Sequence, residues 1–144
     1  KYYVLFKLSQ PHKGNLRGLE ILNNSVFFNC SELREIKLPS TLKEIGPRAF
    51  SGAALNNVVL PDSGKLTKID EYAFYQSREL TDITIPACIT SIPDNVFAEC
   101  SKEVTIHGAS GSYAQNYAKK NNLKFKADFR QFFNKGNKGI KGKR

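Results

Sequence analysis

Four phenylalanines recur at a nearly constant interval: Phe27, Phe50, Phe74 and Phe97 lie 23, 24 and 23 residues apart. Five places before each stand Leu22, Ile45, Ile69 and Ile92, and eight places before stand Leu19, Leu42, Leu66 and Ile89. Val26, Ala49, Ala73 and Val96 directly precede them. A unit of this length cannot enclose an apolar core of its own, so the copies must bury their shared positions against one another. The chain is thereby confined to a stacked array in which equivalent residues form ladders.

Upstream of the last three phenylalanines run "LREIKLP" at 33–39, "LNNVVLP" at 55–61 and "LTDITIP" at 80–86. Alternation places Ile36 with Leu38, Val58 with Leu60 and Ile83 with Ile85 on one face of a strand. The closing proline ends each strand because it donates no ladder hydrogen bond. "IGPRAF", "IDEYAF" and "IPDNVF" then set Gly, Asp or Pro ahead of the phenylalanine, which leaves room for one short turn of helix before the next strand. The expected architecture is an α/β solenoid of short parallel strands and one-turn helices.

The position three after each phenylalanine holds Cys30, Ala53, Ser77 and Cys100, all small. Cys30 and Cys100 are three repeats apart, about 14 Å at about 4.8 Å per rung, beyond the Cα separation of about 7 Å that a disulfide tolerates. Both are expected to be ladder residues, and with Cys88 elsewhere in its repeat no three-cysteine metal site is expected.

The pattern carried by residues 33–53, 55–77 and 80–100, with 19–30 as a degenerate copy, resembles the BspA-like leucine-rich repeat family. The resemblance implies a leucine-rich repeat right-handed superhelix. It also implies an extracellular or cell-surface setting, with a role in adhesion through contact with a protein or glycan partner. "VTIHGASGSYAQNYAKKNNLKF" at 104–125 resembles the end of such arrays: a strand at 104–106, a helix from about Ser112 with Tyr113, Ala114, Tyr117 and Ala118 at helical spacing, and a final strand at 123–125. Such a C-terminal helical cap covers the apolar edge that the last rung would otherwise expose. "KYYVLFKLSQPHKGN" at 1–15 matches no unit well and reads as a cap, a linker or a damaged repeat.

The 144 residues fit one domain, with 40% hydrophobic and 24% charged residues. No apolar run approaches the roughly 18 residues of a membrane span. Methionine is absent altogether, so the chain reads as a processed product or an excised segment, and its export signal is not judged. The net charge of +9 is concentrated in residues 126–144, where Lys126, Arg130, Lys135, Lys138, Lys141, Lys143 and Arg144 face Asp128 alone. Residues 1–125 are read as solenoid and cap, and 126–144 as a basic tail whose Lys-Gly run resists folding. Interleaved with Phe129, Phe132 and Phe133, these cations form a candidate anion-binding tail for weak contact with an acidic polymer, or simply a solubilising terminus.

No catalytic constellation appears. His12 and His107 belong to no metal spacing, there is no phosphate loop or nucleophile elbow, and no cofactor or small-molecule substrate is expected. "NNS" at Asn23 and "NCS" at Asn29 match glycosylation sequons. The candidate partner-binding face consists of the outward strand residues Glu35, Lys37, Asn57, Val59, Asp82 and Thr84, extended by Glu103 and Thr105. Its footprint, four rungs by four residues, is about 260 Å², against about 800 Å² per partner in a standard protein interface. That face alone suits weak or multivalent contact, or none if it is a solvated scaffold surface.

Overall fold

A computed structural model describes residues 16–128 of the chain; the expectations for residues 1–15 and for the tail beyond Asp128 fall outside the described residues. The elements are β1 (Ile21–Leu22), β2 (Glu44–Ile45), β3 (Asn57–Val59), β4 (Lys68–Ile69), β5 (Asp82–Thr84), β6 (Thr105–Gly108), α1 (Tyr113–Lys120) and β7 (Lys124–Ala127). They form a parallel solenoid of two sheets, ordered β1-β2-β4 and β3-β5-β6-β7. The second of these is the sheet that the alternation anticipates. The first was not anticipated, because two-residue strands are too short to show alternation.

The register explains the repeat. Leu22 pairs with Ile45 and Ile45 with Ile69, while Val58, Ile83, Ile106 and Phe125 align across the larger sheet. The phenylalanine ladder is a stack: ring centroids of Phe27, Phe50, Phe74 and Phe97 follow one another at 5.3, 5.2 and 5.6 Å, with interplanar angles of at most 16°. Leu42, Leu66 and Ile89 form a second fully buried ladder beside it. Each such side chain contributes roughly 1.5–3 kcal/mol of burial.

Between the two sheets, the segment around each phenylalanine is a run of tight turns in place of the expected one-turn helix. In the first three rungs the residues two before and two after the phenylalanine lie in the left-handed region: Arg48 and Gly52 (φ 55° and 69°), Tyr72 and Gln76 (58° and 53°), Ser25 and Asn29 (56° and 53°). For a residue other than glycine this conformation costs roughly 1–2 kcal/mol. It changes where the amides point. Ala49, Ser51 and Ala53 donate within the turn to Gly46, Arg48 and Phe50, at 3.0–3.2 Å. Arg48, Phe50 and Gly52 donate instead to Glu71, Ala73 and Tyr75 on the next rung, at 2.8–3.1 Å. An α-helix would turn every one of these amides inward, so rung-to-rung bonding excludes it.

The array leaves little room for extra atoms. A Cβ on Gly46 would stand 2.6 Å from the Leu22 carbonyl oxygen of the preceding rung, to which the Gly46 N–H donates at 2.7 Å. Cys30 and Cys100 occupy the first and fourth rungs. The Cys100 thiol donates to the Phe74 carbonyl at 2.8 Å, as the equivalent Ser77 hydroxyl does to Phe50 at 3.0 Å. Burial pushes the Cys100 pKa up to about 11.

The cap begins at Ser112 as expected, and α1 lays Ala114, Tyr117 and Ala118 over the last rung. The Tyr117 ring meets Phe97 edge-on at 6.1 Å, taking the place of a fifth stacked phenylalanine. Its hydroxyl donates to the Pro93 carbonyl at 3.0 Å, and burial raises its pKa well above the ordinary phenol value. The Tyr113 hydroxyl accepts from the Ile92 N–H at 3.1 Å and donates to the Ile92 carbonyl at 3.3 Å. Two phenols thus serve main-chain groups of the last rung. Gly108 lets the helix approach: a Cβ there would stand 3.1 Å from the Ala114 Cβ.

Phe74→Ala is expected to destabilise the protein by about 3–5 kcal/mol, since it opens a cavity in a stack closed on both sides. The melting temperature should fall by more than about 9 °C, and an unchanged value would refute the stacking account. Gly46→Ala should cost about 1–3 kcal/mol through the clash with Leu22, read as a lower denaturation midpoint at unchanged m-value.

Candidate functional site

In a parallel strand every second side chain leaves the core, so the register of the larger sheet lays out two outward rows. One runs Asn57, Asp82, Thr105, Lys124 and the other Val59, Thr84, His107, Lys126. Asn57, Asp82, Val59 and Thr105 stand where alternation puts them. Val59 is 58% exposed, whereas Thr84, between Val59 and His107, is only 8% exposed.

The extension to the next rung shifts by two residues. Asp82 pairs with Thr105, whereas the expected order set Glu103 beside Asp82 and Thr105 beside Thr84. Glu103 lies in the preceding turn and forms an ion pair with Lys124 at the margin of the face. His107 takes the place given to Thr105. Counting from the phenylalanine ladder reveals this: the central strand residue follows Phe50 by eight places, Phe74 by nine and Phe97 by nine, which selects Ile106.

Glu35 and Lys37 are exposed and alternate with the inward Ile36 and Leu38, but residues 33–39 form no strand in the structure. A single main-chain bond, from the Asn56 N–H to the Arg34 carbonyl at 3.1 Å, links that segment to the start of β3. Lys126, assigned from sequence to the tail, lies in β7 opposite His107, because the last strand extends two residues past the expected 123–125. The remaining tail cations, Arg130, Lys135, Lys138, Lys141, Lys143 and Arg144, lie outside the described residues.

The polar centre of the face is Asp82. Its Oδ1 lies 2.6 Å from His107 Nε2, and its Oδ2 accepts from the Thr81 hydroxyl at 2.8 Å. The His107 hydrogen bond, then that of Thr81, hold the Asp82 carboxyl below the usual carboxylate range, with Lys126 adding a favourable Coulomb contribution. The arrangement is an ordered polar surface graded from neutral Asn57 and apolar Val59 to basic Lys124 and Lys126. Among the described residues, no group of three His, Cys, Asp or Glu side chains is placed to hold a metal ion. A shallow cleft of about 160 Å³, lined by Asp94, Phe97, Ala98, Tyr117, Asn121 and Leu123, lies at the cap, away from this sheet.

The chain is similar to a solved leucine-rich cell surface protein from Faecalibacterium prausnitzii, at 27% identity and a TM-score of 0.57. That match covers 69% of this chain and 28% of the other, so this chain spans little more than a quarter of that neighbour. A leucine-rich repeat protein from Bacteroides ovatus is similar at 18% identity and a TM-score of 0.40, over 64% of this chain and 32% of that one. No curated protein matches the chain. The model of the BspA type leucine-rich repeat region matches six copies over residues 15–126. With more than three quarters of its length matched and its rungs stacked as such repeats require, the chain belongs to the BspA-type leucine-rich repeat family.

Proposed function

We propose that this solenoid is a non-enzymatic binding module of a cell-surface or secreted protein, contacting a protein or glycan partner through the β3-β5-β6-β7 face and its adjoining loops. The observation that carries this reading is the fixed register Asn57, Asp82, Thr105, Lys124, which presents dissimilar polar groups at rung spacing on a hydrogen-bonded sheet. Family membership and the surface setting named for the Faecalibacterium prausnitzii neighbour support it. The small area suits repeated weak contacts along a polymeric or clustered partner, where avidity supplies what one site lacks. Lys126, exposed beside His107, favours an acidic group in the partner at the cap end, where the tail cations would add salt-sensitive attraction.

The test is binding to immobilised matrix proteins and acidic glycans, at low and physiological salt, by the intact chain, a form ending at Asp128, and an Asn57→Ala, Asp82→Asn double variant. The double variant should lose at least about tenfold in affinity. Undiminished binding would exclude the face; binding lost only on truncation would assign function to the tail; and no ligand for any form would leave a structural spacer.

Asp82→Asn also carries a pH signature. The folded-state pKa is lowered, so the carboxylate contributes stability above the unfolded value of about 3.9 and loses it as pH falls through the folded value. Between pH 6 and pH 3 the parent should therefore lose more stability than the variant, measured as the difference in melting temperature. Parallel loss in both proteins would contradict the depressed pKa.

A further inference from the structure

A second surface differs in kind from the strand face, whose outward rows carry no phenylalanine, tyrosine or tryptophan. On the turn side of the solenoid, Phe28 is 48% exposed. Two rungs along, the Tyr72 and Tyr75 rings meet edge to face at 5.5 Å and 88°, and the Arg48 guanidinium lies 5.4 Å from the Tyr72 ring centre. Aromatic residues and arginine are the side chains enriched at protein-binding surfaces and their energetic centres.

Their spacing is set by the fold. Phe28 and Tyr75 each directly follow a ladder phenylalanine, so they project from equivalent backbone positions. Two rungs at about 4.8 Å separate those positions by about 10 Å. The rung between offers Ser51 at the same position, 2% exposed, followed by Gly52, over which the Asn29 carboxamide lies, so no aromatic side chain stands there. The result is two aromatic side chains, exposed Phe28 and half-buried Tyr75, flanking a rung that has none at that position.

We propose that this turn face docks a proline-rich segment of a partner protein, in the polyproline II conformation and carrying one acidic residue. One turn of that helix is three residues at about 3.1 Å, about 9.3 Å in all, so prolines at i and i+3 match the two aromatic side chains. Its backbone makes no internal hydrogen bonds, and its carbonyls require donors, which the Tyr72 and Tyr75 hydroxyls and the Gln76 carboxamide supply. Recognition of such helices on aromatic surfaces exploits their low ordering cost. The acidic residue follows from charge: Arg48 is the one charged side chain in residues 46–54, the rung between Phe28 and Tyr75.

The experiment is fluorescence anisotropy of a fluorescein-labelled decaproline with one central glutamate, titrated with the intact chain. Saturable binding is expected, weakened at least about tenfold by Phe28→Ala and by Tyr75→Ala and unchanged by Asp82→Asn on the strand face. A peptide with lysine in place of glutamate should bind at least about fivefold more weakly, and Arg48→Glu should invert that preference. Thermal unfolding of each variant separates lost docking from lost fold. The proposal is overturned by absent saturable binding, by binding indifferent to Phe28→Ala and Tyr75→Ala, or by Phe28-dependent binding of cello- or chito-oligosaccharides with none of the peptide. A charge preference that Arg48→Glu does not alter would overturn the requirement for an acidic residue.

Discussion

The structure depends on one contact: the amide of each turn segment donating to the carbonyl of the next rung, directly beside the phenylalanine stack. Phe27, Phe50 and Phe74 donate to Ala49, Ala73 and Val96, so the residue whose ring stacks is also the residue whose N–H binds its neighbour. Burial and main-chain satisfaction are thus met by the same position, which is why both rings and their spacing persist through the copies. The cost is local. Arg48, Tyr72, Gln76 and Glu99 adopt left-handed backbone without being glycine, a strain tolerable only where surrounding contacts over-determine the conformation.

A ladder of this kind has ends, and the C-terminal end is closed by substitution of parts. Where a further rung would present a ring and main-chain groups, α1 presents Tyr117 against Phe97 and phenol oxygens against Ile92 and Pro93. The Lys120–Asp94 pair at 2.9 Å is exposed on both sides and adds little. Closure is therefore achieved by aromatic residues that are apolar along the ring and polar at the tip.

Much of this was legible in the sequence, because periodicity encodes what is buried. The phenylalanine ladder and the strands at Val58 and Ile83 follow from spacing, and the cap helix from Ser112 follows from the resemblance to the ends of such arrays. What escaped depends on main-chain geometry. The sheet of β1, β2 and β4 consists of two-residue strands, and the turns require positive φ at serine, arginine and tyrosine, which composition does not signal. On the candidate face the expectation failed at two places: residues 33–39, with Glu35 and Lys37, form no strand, and the register slips at the last rung. Val104 reads as a central strand residue because it is apolar between Glu103 and Thr105, but Ile106 holds the position opposite Ile83, and His107 enters the face with it. The aromatic turn face escaped for a related reason: Phe28 and Tyr75 directly follow ladder residues, and periodicity does not show which side each takes.

The burial of Cys100 in its ladder site has a chemical consequence. With its pKa pushed up to about 11 by burial, the thiol is protonated at neutral pH. Nucleophilic attack on disulfides and alkylating agents requires the thiolate. The same narrow site that selects a small ladder residue therefore disfavours the reactive thiolate, so an unpaired cysteine in this ladder has little tendency to form cross-links.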